Sequence, residues 1–384
     1  MERPDKQPEW LVDEAWDDGL RYTEEWVAPK RSFPSRRCAL WAGDGDEPAS
    51  TLVLLGMQVR FGALAVPVEG YAAVNTAPEQ RRRGYMERLF RRSLRSAGAR
   101  VSVVCLYGIA DFYPRYGFVT CQRGAEWRVS LYDTRRLPAV TEGTLRTGTL
   151  SDLPAMRALY NDVHGRRPWT VARADDWDRL PRARPWRPGA EICLAARGDA
   201  LTGYAVIREE AFGWRRDHLQ LDEVVARDLD TARLLLAEAA RRARQLDYER
   251  IVFHEPSDSA VAHAARAIGC EVVYRHYAAG GGMAALLDRA RFLDELRPEL
   301  ARRAAAARVS EAAQLPALAA LRGGVLLPGD GDLLQLAFGY ERFDQVPEER
   351  RGSDPGLWEV AQAWFPGGGT RVLEEPFAHL LDDY

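Results

Sequence analysis

The sequence predicts an α/β chain with mixed α+β sheets, built as two tandem units of like order followed by a small α+β third unit. Three observations predict it. The chain has 384 residues, enough for two or three cores. Apolar residues make up 46% and charged residues 28%, so real cores can form. One order also occurs twice: hairpin, strand, loop, amphipathic helix, strand, short helix, glycine, strand.

In the first unit, 38–41 and 51–58 read as strands joined by a turn-rich GDGDEPAS. A further apolar run from Ala63 to Val68 leads into YAAVNT. After the polar loop APEQRRRG, residues Met86, Leu89, Phe90, Ser93, Leu94 and Ala97 recur on one helical face, and Gly98 closes the helix. VSVVCLY, 101–107, reads as a strand covered on both faces. A short helix from Asp111 to Arg115 ends at Gly117. Before residue 38 only Trp10-Leu11-Val12 suggests a strand, and 16–26 fits an amphipathic helical face.

The second unit starts near Leu145. Its helix buries Leu153, Met156, Leu159, Tyr160 and Val163, capped by Ser151 or Asp152. A Trp/Pro/Arg-rich stretch, 167–189, is loop-like. A hairpin turns at Arg197-Gly198-Asp199, and strand HLQLDEVVA, helix 232–243, strand RIVFH and a helix from Ser257 to Gly269 follow. The third unit opens with an Ala/Arg-rich helix, 291–308, then strand-like pieces in GGVLLPGDGDLLQLAFGY. The expected domains are 1–143, 144–288 and 289–384.

Composition excludes much. Net charge is −3 with mixed signs along the chain, so no nucleic-acid stripe is expected. No apolar run reaches a membrane span, and the acidic start has no signal-peptide core; a cytoplasmic chain is expected. Five scattered cysteines without zinc spacing read as buried reduced thiols. Lys6 and Lys30 are the only lysines, and neither sits in a nucleotide loop or a Schiff-base context. The first histidine is His164, so an acid or base in the first unit is not histidine.

The informative segment is Val74-Asn75-Thr76-Ala77-Pro78-Glu79-Gln80-Arg81-Arg82-Arg83-Gly84-Tyr85-Met86. A strand, an arginine-rich loop and a helix start make an anion site of free amides and guanidinium groups. The expected ligand is a diphosphate on a molecule lying along strand 72–76. About 30 residues on comes Asp111-Phe112-Tyr113-Pro114-Arg115-Tyr116-Gly117-Phe118.

These motifs resemble the GCN5-related N-acetyltransferase (GNAT) superfamily. Its Arg/Gln-x-x-Gly-x-Gly/Ala pattern is matched by Arg81 to Met86, with Met86 at a position usually small. The triple-arginine loop and the three-part layout resemble acetyltransferases of the enhanced intracellular survival (Eis) type: an active unit, a degenerate copy and a sterol-carrier-like C-terminal domain.

The resemblance implies acetyl-CoA as the acyl donor, held by residues 74–76 and 81–86. It implies direct attack by a primary amine of a small molecule or lysine in a ternary complex. It places the general acid on Tyr113. It offers the terminal carboxylate of Tyr384 as base, beside Glu69, Asp111 or a water path. An amine at neutral pH is neutral in only about one molecule in a thousand, so some base is required. Tyr22, Glu25 and Trp26, with Trp16 and Glu24, are the expected acceptor wall. The second unit carries Arg227-Asp228-Leu229-Asp230 in place of the loop, and Ala265 in place of the tyrosine. The alternative is a non-catalytic module that binds CoA or sequesters a small molecule. No metal and no membrane partner are expected, and a homo-oligomer is compatible with the sequence.

Overall fold

The computed structural model describes residues 10–365 apart from 17, 31–32, 44–45, 123, 141, 166, 168–169, 175–189 and 209–217. The expected base at Tyr384 and most of the loop-like stretch 167–189 lie outside the described residues.

The first unit opens with strands, not a helix: β1 (Trp10–Ala15) and β2 (Leu20–Lys30) form an antiparallel hairpin. Strands β3 (Phe33–Ala42), β4 (Ser50–Phe61) and β5 (Leu64–Thr76) extend it. Helix α1 (Tyr85–Gly98) crosses to β6 (Val103–Gly108), parallel to β5, as a β-helix-β connection requires. A 3-10 turn at Pro114–Tyr116 ends on Gly117 at φ 87, and β7 (Val119–Thr120) follows.

The second sheet contains β8 (Gly124–Ser130), β9 (Thr144–Thr147), β10 (Ala190–Arg197), β11 (Ala200–Arg208), β12 (His218–Ala226), β13 (Arg250–His254) and β14 (Glu271–Arg275). Helices α2 (Leu153–Val163), α3 (Leu229–Gln245) and α4 (Ala260–Ile268) accompany it. β12 and β13 are its parallel pair, with α3 as the crossover. Strand β15 (Gly281–Leu286) then returns to the first sheet.

The sheets therefore exchange strands. The first has the order β1-β2-β3-β4-β5-β6-β15-β7 and the second β14-β8-β13-β12-β11-β10-β9. β8 precedes residue 143 yet pairs with β13 and β14, and β15 precedes residue 289 yet lies between β6 and β7. The units also meet directly. Gln58 and Arg60 of β4 bond backbone to backbone with Ala172 and Thr170, and the Arg60 guanidinium donates to the Val171 carbonyl at 2.8 Å.

The third segment departs from expectation. Helices α5 (Arg289–Ala306), α6 (Glu311–Arg322), α7 (Asp330–Ala337), α8 (Glu348–Arg351) and α9 (Trp358–Trp364) account for it, and no strand occurs between 289 and 365 among the described residues. The strand-like LLQLAF belongs to α7, where Leu333, Leu334, Leu336 and Ala337 are buried. Asp330 and Asp332 favour a helix start there. A short apolar run fits strand or buried helix alike, and burial decided it.

These helices share one core with the first sheet. Val53, Leu55, Met57, Val59 and Phe61 of β4 pack with Phe292, Leu293, Leu296, Leu300 and Leu333. Leu52 and Leu54 face the other way, onto Leu89 and Phe90 of α1. Strand alternation thus gives β4 two buried faces. Each such side chain contributes roughly 1.5–3 kcal/mol of burial.

Candidate active site

β5 and β6 pair in parallel only from Val68/Val103 to Tyr71/Leu106, although β5 runs on to Thr76 and β6 to Gly108. Past Tyr71 the two strands part. On its other edge β5 bulges against β4: Val53 faces Ala72, Thr51 faces Asn75, and Ala73 is left at φ 49. The outer stretch of β5 therefore turns backbone groups toward the gap without a β6 partner. That suits an amide-containing arm such as pantetheine.

At the mouth of the gap lies the arginine loop. After a 3-10 turn at Pro78–Gln80, Arg82 adopts φ 65 and Gly84 φ 76. Gly84 is the N-cap of α1 and offers no side-chain cap, and the first helical bond is Arg88 N–H to the Gly84 carbonyl at 3.2 Å. The amides of Tyr85, Met86 and Glu87 have no helical acceptor and carry the positive end of the helix dipole. A Cβ on Gly84 would meet nothing within 4 Å, so the backbone angle, not crowding, requires glycine. Arg81 donates to the Thr76 carbonyl at 3.4 Å, and Arg82 and Arg83 have no carboxylate partner among the described residues. Val74, Tyr85 and Met86 are half-buried against the core beneath α1, so Met86 packs where the related pattern has a small residue. Asn75 is exposed, and the Thr76 hydroxyl lies 3.0 Å from that of Ser50. These residues fit a diphosphate.

Tyr113 begins the 3-10 turn after β6 and is 8% exposed. Its ring packs on Phe90, Phe112 and Phe118, and reaches the end of β6. Burial, and then the neighbouring Tyr116, push its hydroxyl above the usual tyrosine range, so it stays protonated at neutral pH. Tyr116 is differently placed: its hydroxyl is enclosed without a hydrogen-bond partner.

The carboxylate candidates separate. Glu69 is 5% exposed and held by Arg36 and by Arg100, the latter at 2.9 Å. Arg36 also pairs with Glu24 at 3.3 Å, which accepts from the Tyr22 hydroxyl at 2.5 Å. Glu69 is therefore a member of a buried charge chain, with its oxygens already engaged. Asp111 is exposed at φ 63 and its amide donates to the Ala279 carbonyl. The expected acceptor wall assembles only in part: Trp16 stacks on Tyr22 with ring centres 6.3 Å apart, and Glu24 accepts from the Tyr22 hydroxyl. Tyr22 is wholly buried, Trp26 is 54% exposed, and Glu25 points to the opposite face of β2, where it pairs with Arg37. The segment is a strand with a period of two, so neighbouring residues cannot share a face.

The second unit keeps the frame. β12 and β13 pair only from His218/Arg250 to Leu221/Phe253, and β12 bulges against β11 at Asp222, immediately past that pairing. At the start of α3, however, Asp228 is the N-cap and its carboxylate accepts from the Thr231 amide at 2.8 Å. An internal anion sits where the first unit has bare glycine. Burial raises the Asp228 pKa, but the Thr231 bonds and Arg197 outweigh it and hold the group low. The diverging stretches also carry buried Glu223, bonded to Arg173 at 2.6 and 2.9 Å and to Tyr204, and buried Glu255.

Sequence reasoning missed Gly108, the Glu24–Arg36–Glu69–Arg100 chain and the capping role of Asp228. Only Asp228, a cap residue before a helix, had a readable signal.

Residues 11–121 match the model of the acetyltransferase (GNAT) domain. No curated protein matches the chain. Among solved structures, a GCN5-related N-acetyltransferase from Kribbella flavida is 22% identical with a TM-score of 0.53, over 66% of this chain and 60% of that one. One from Anabaena variabilis is 18% identical with a TM-score of 0.55, over 67% and 64%. Eis1 from Mycobacterium abscessus is 17% identical with a TM-score of 0.58, over 91% of each chain. The chain thus spans less than two thirds of the first two and nine tenths of the third. These likenesses show the fold.

Proposed function

We propose that this chain, with a GNAT acetyltransferase domain at residues 11–121 and an Eis-like fold, transfers acetyl from acetyl-CoA to a primary amine by direct attack in a ternary complex. The observation that carries the reading is the contrast between the two helix starts. The α1 start is capped by bare Gly84 beside Arg81, Arg82 and Arg83, and the α3 start is capped by the carboxylate of Asp228.

Acetyl-CoA supplies the activated acyl group. Residues 81–86 would hold its diphosphate, and the backbone of Val74 to Thr76 its pantetheine arm. Tyr113, protonated and at the inner end of the gap, would donate to the departing sulfur. The acceptor is a small-molecule amine or a lysine. Glu69 is engaged by two arginines, which leaves Asp111, the Tyr384 carboxylate or a water path as the base. We place activity in the first unit and a structural role in the second.

The test is calorimetry with acetyl-CoA, then thiol release with a panel of polyamines and aminoglycosides. Thiol release that depends on the added amine supports the enzyme reading. Acetyl-CoA binding with no turnover on any amine favours the non-catalytic module.

A further inference from the structure

The anion loop runs from Arg81 to Met86, yet the gap has a second lip, formed by the 3-10 turn Pro114–Tyr116. Arg115 stands on it. Its guanidinium lies 4.3 Å from the Phe112 ring centre and 5.4 Å from that of Tyr116, and its Nε donates to the Phe112 carbonyl at 2.9 Å. Two aromatic rings and a backbone bond fix the group, and its terminal nitrogens are left for another acceptor. No carboxylate pairs with it among the described residues. Three of the four arginines of α1 behave otherwise: Arg88 pairs with Asp18, Arg91 with Glu87 and Arg92 with Glu14. Arg91 also lies 5.4 Å from the Tyr116 ring, so the turn packs on α1 about two helical turns beyond the loop.

The loop accounts for one anionic group of coenzyme A, its diphosphate. The molecule carries a second, the 3′-phosphate on the ribose. Tyr113 points into the core two residues before Arg115, which is exposed. Arg115 therefore sits on the outer side of the lip, away from the thiol end. An immobilised guanidinium with open nitrogens is suited to a phosphate dianion.

We propose that Arg115 recognises the 3′-phosphate of coenzyme A and gives the site its preference for CoA over 3′-dephospho-CoA. The assignment rests on the acetyl-CoA reading above and adds a second anion contact to it.

The experiment compares CoA and 3′-dephospho-CoA by calorimetry on the full chain, wild type and Arg115→Gln. The residue is exposed, so the variant is expected to fold, and circular dichroism checks it. Wild type should bind CoA about tenfold more tightly than dephospho-CoA, as one charge-assisted contact at a partly hydrated site allows. Arg115→Gln should lose that preference and bind dephospho-CoA as wild type does. Raising salt from 0.05 to 0.5 M should shrink the wild-type preference, and leave the variant's ratio near one. Equal losses for both ligands would overturn the proposal, since the residue would then act on a shared part of the molecule. An unchanged preference in the variant would overturn it too. If wild type binds neither ligand, the acetyl-CoA reading itself fails; if wild type binds both alike, only the role of Arg115 fails.

Discussion

The ring of Tyr113 occupies the space a side chain on Gly108 would need: a Cβ there would stand 2.6 Å from Cδ2 of the tyrosine and 2.7 Å from Cδ1 of Leu106. The last residue of β6 is glycine so that the ring can close over the strand end. Gly108→Ala should therefore displace Tyr113. Turnover should fall while acetyl-CoA affinity changes little, a split that steady-state kinetics and calorimetry can read.

Tyr113→Phe should keep the fold and coenzyme binding and lower kcat by roughly 10²–10⁴, the scale of a lost general acid. Burial raises the hydroxyl's pKa, so the acid form persists through neutral pH, and the alkaline fall in kcat should lie above about pH 10. Tyr116→Phe should do much less. Equal losses would assign both tyrosines to packing.

Gly84→Val forces a β-branched residue to φ 76, and should weaken acetyl-CoA at least tenfold once the strain of roughly 1–2 kcal/mol distorts the loop. Asp228→Ala removes a helix cap worth about 0.5–2 kcal/mol and should leave acetyl-CoA affinity untouched. The Asp228 pKa is depressed on folding, so this stability is present above its ordinary value of 3.8 and is lost as pH falls through the folded one. Calorimetry and urea melts on both variants separate ligand site from cap.

Arg36 lies between buried Glu24 and Glu69. Arg36→Met leaves buried Glu24 to the Tyr22 hydroxyl and an Arg100 guanidinium 3.9 Å away, while Glu69 keeps Arg100, and should cost about 3–5 kcal/mol in urea unfolding. Glu69→Gln should lower stability and leave kcat of the folded fraction near wild type. A hundredfold loss of kcat with normal folding would make Glu69 the base after all.

Glu255 is 1% exposed, and burial pushes its carboxyl up to about 8 from 4.5. The folded chain then holds a proton that the unfolded chain releases between those values. Its contribution is fully present below about pH 4.5 and is lost as pH rises through about 8. Glu255→Gln should flatten that decline, read as urea midpoints at pH 6, 7, 8 and 9. A wild-type slope that survives the substitution would assign the titration elsewhere.

The sequence by itself determined the frame. Periodicity and apolar runs placed α1, α3, β12 and β13, because each carries apolar residues to bury. It also marked the anion loop, because charge, glycine and helix start are adjacent in the chain. Tertiary structure decided what adjacency cannot encode. Strand β2 read as a helix face because its residues are buried on both sides at 22–25, which blurs the alternation. The exchange of β8 and β15 between sheets depends on pairings more than 100 residues apart in the chain. Segment 330–337 carries acidic residues suited to a helix start, but its apolar run fits a strand as well, and packing on β15 and β7 made it a helix. Glu69 looked like a free carboxylate until Arg36 and Arg100, from β3 and from beyond the end of α1, folded onto it. A carboxylate's role is set by which charges reach it, and that is a property of the folded chain.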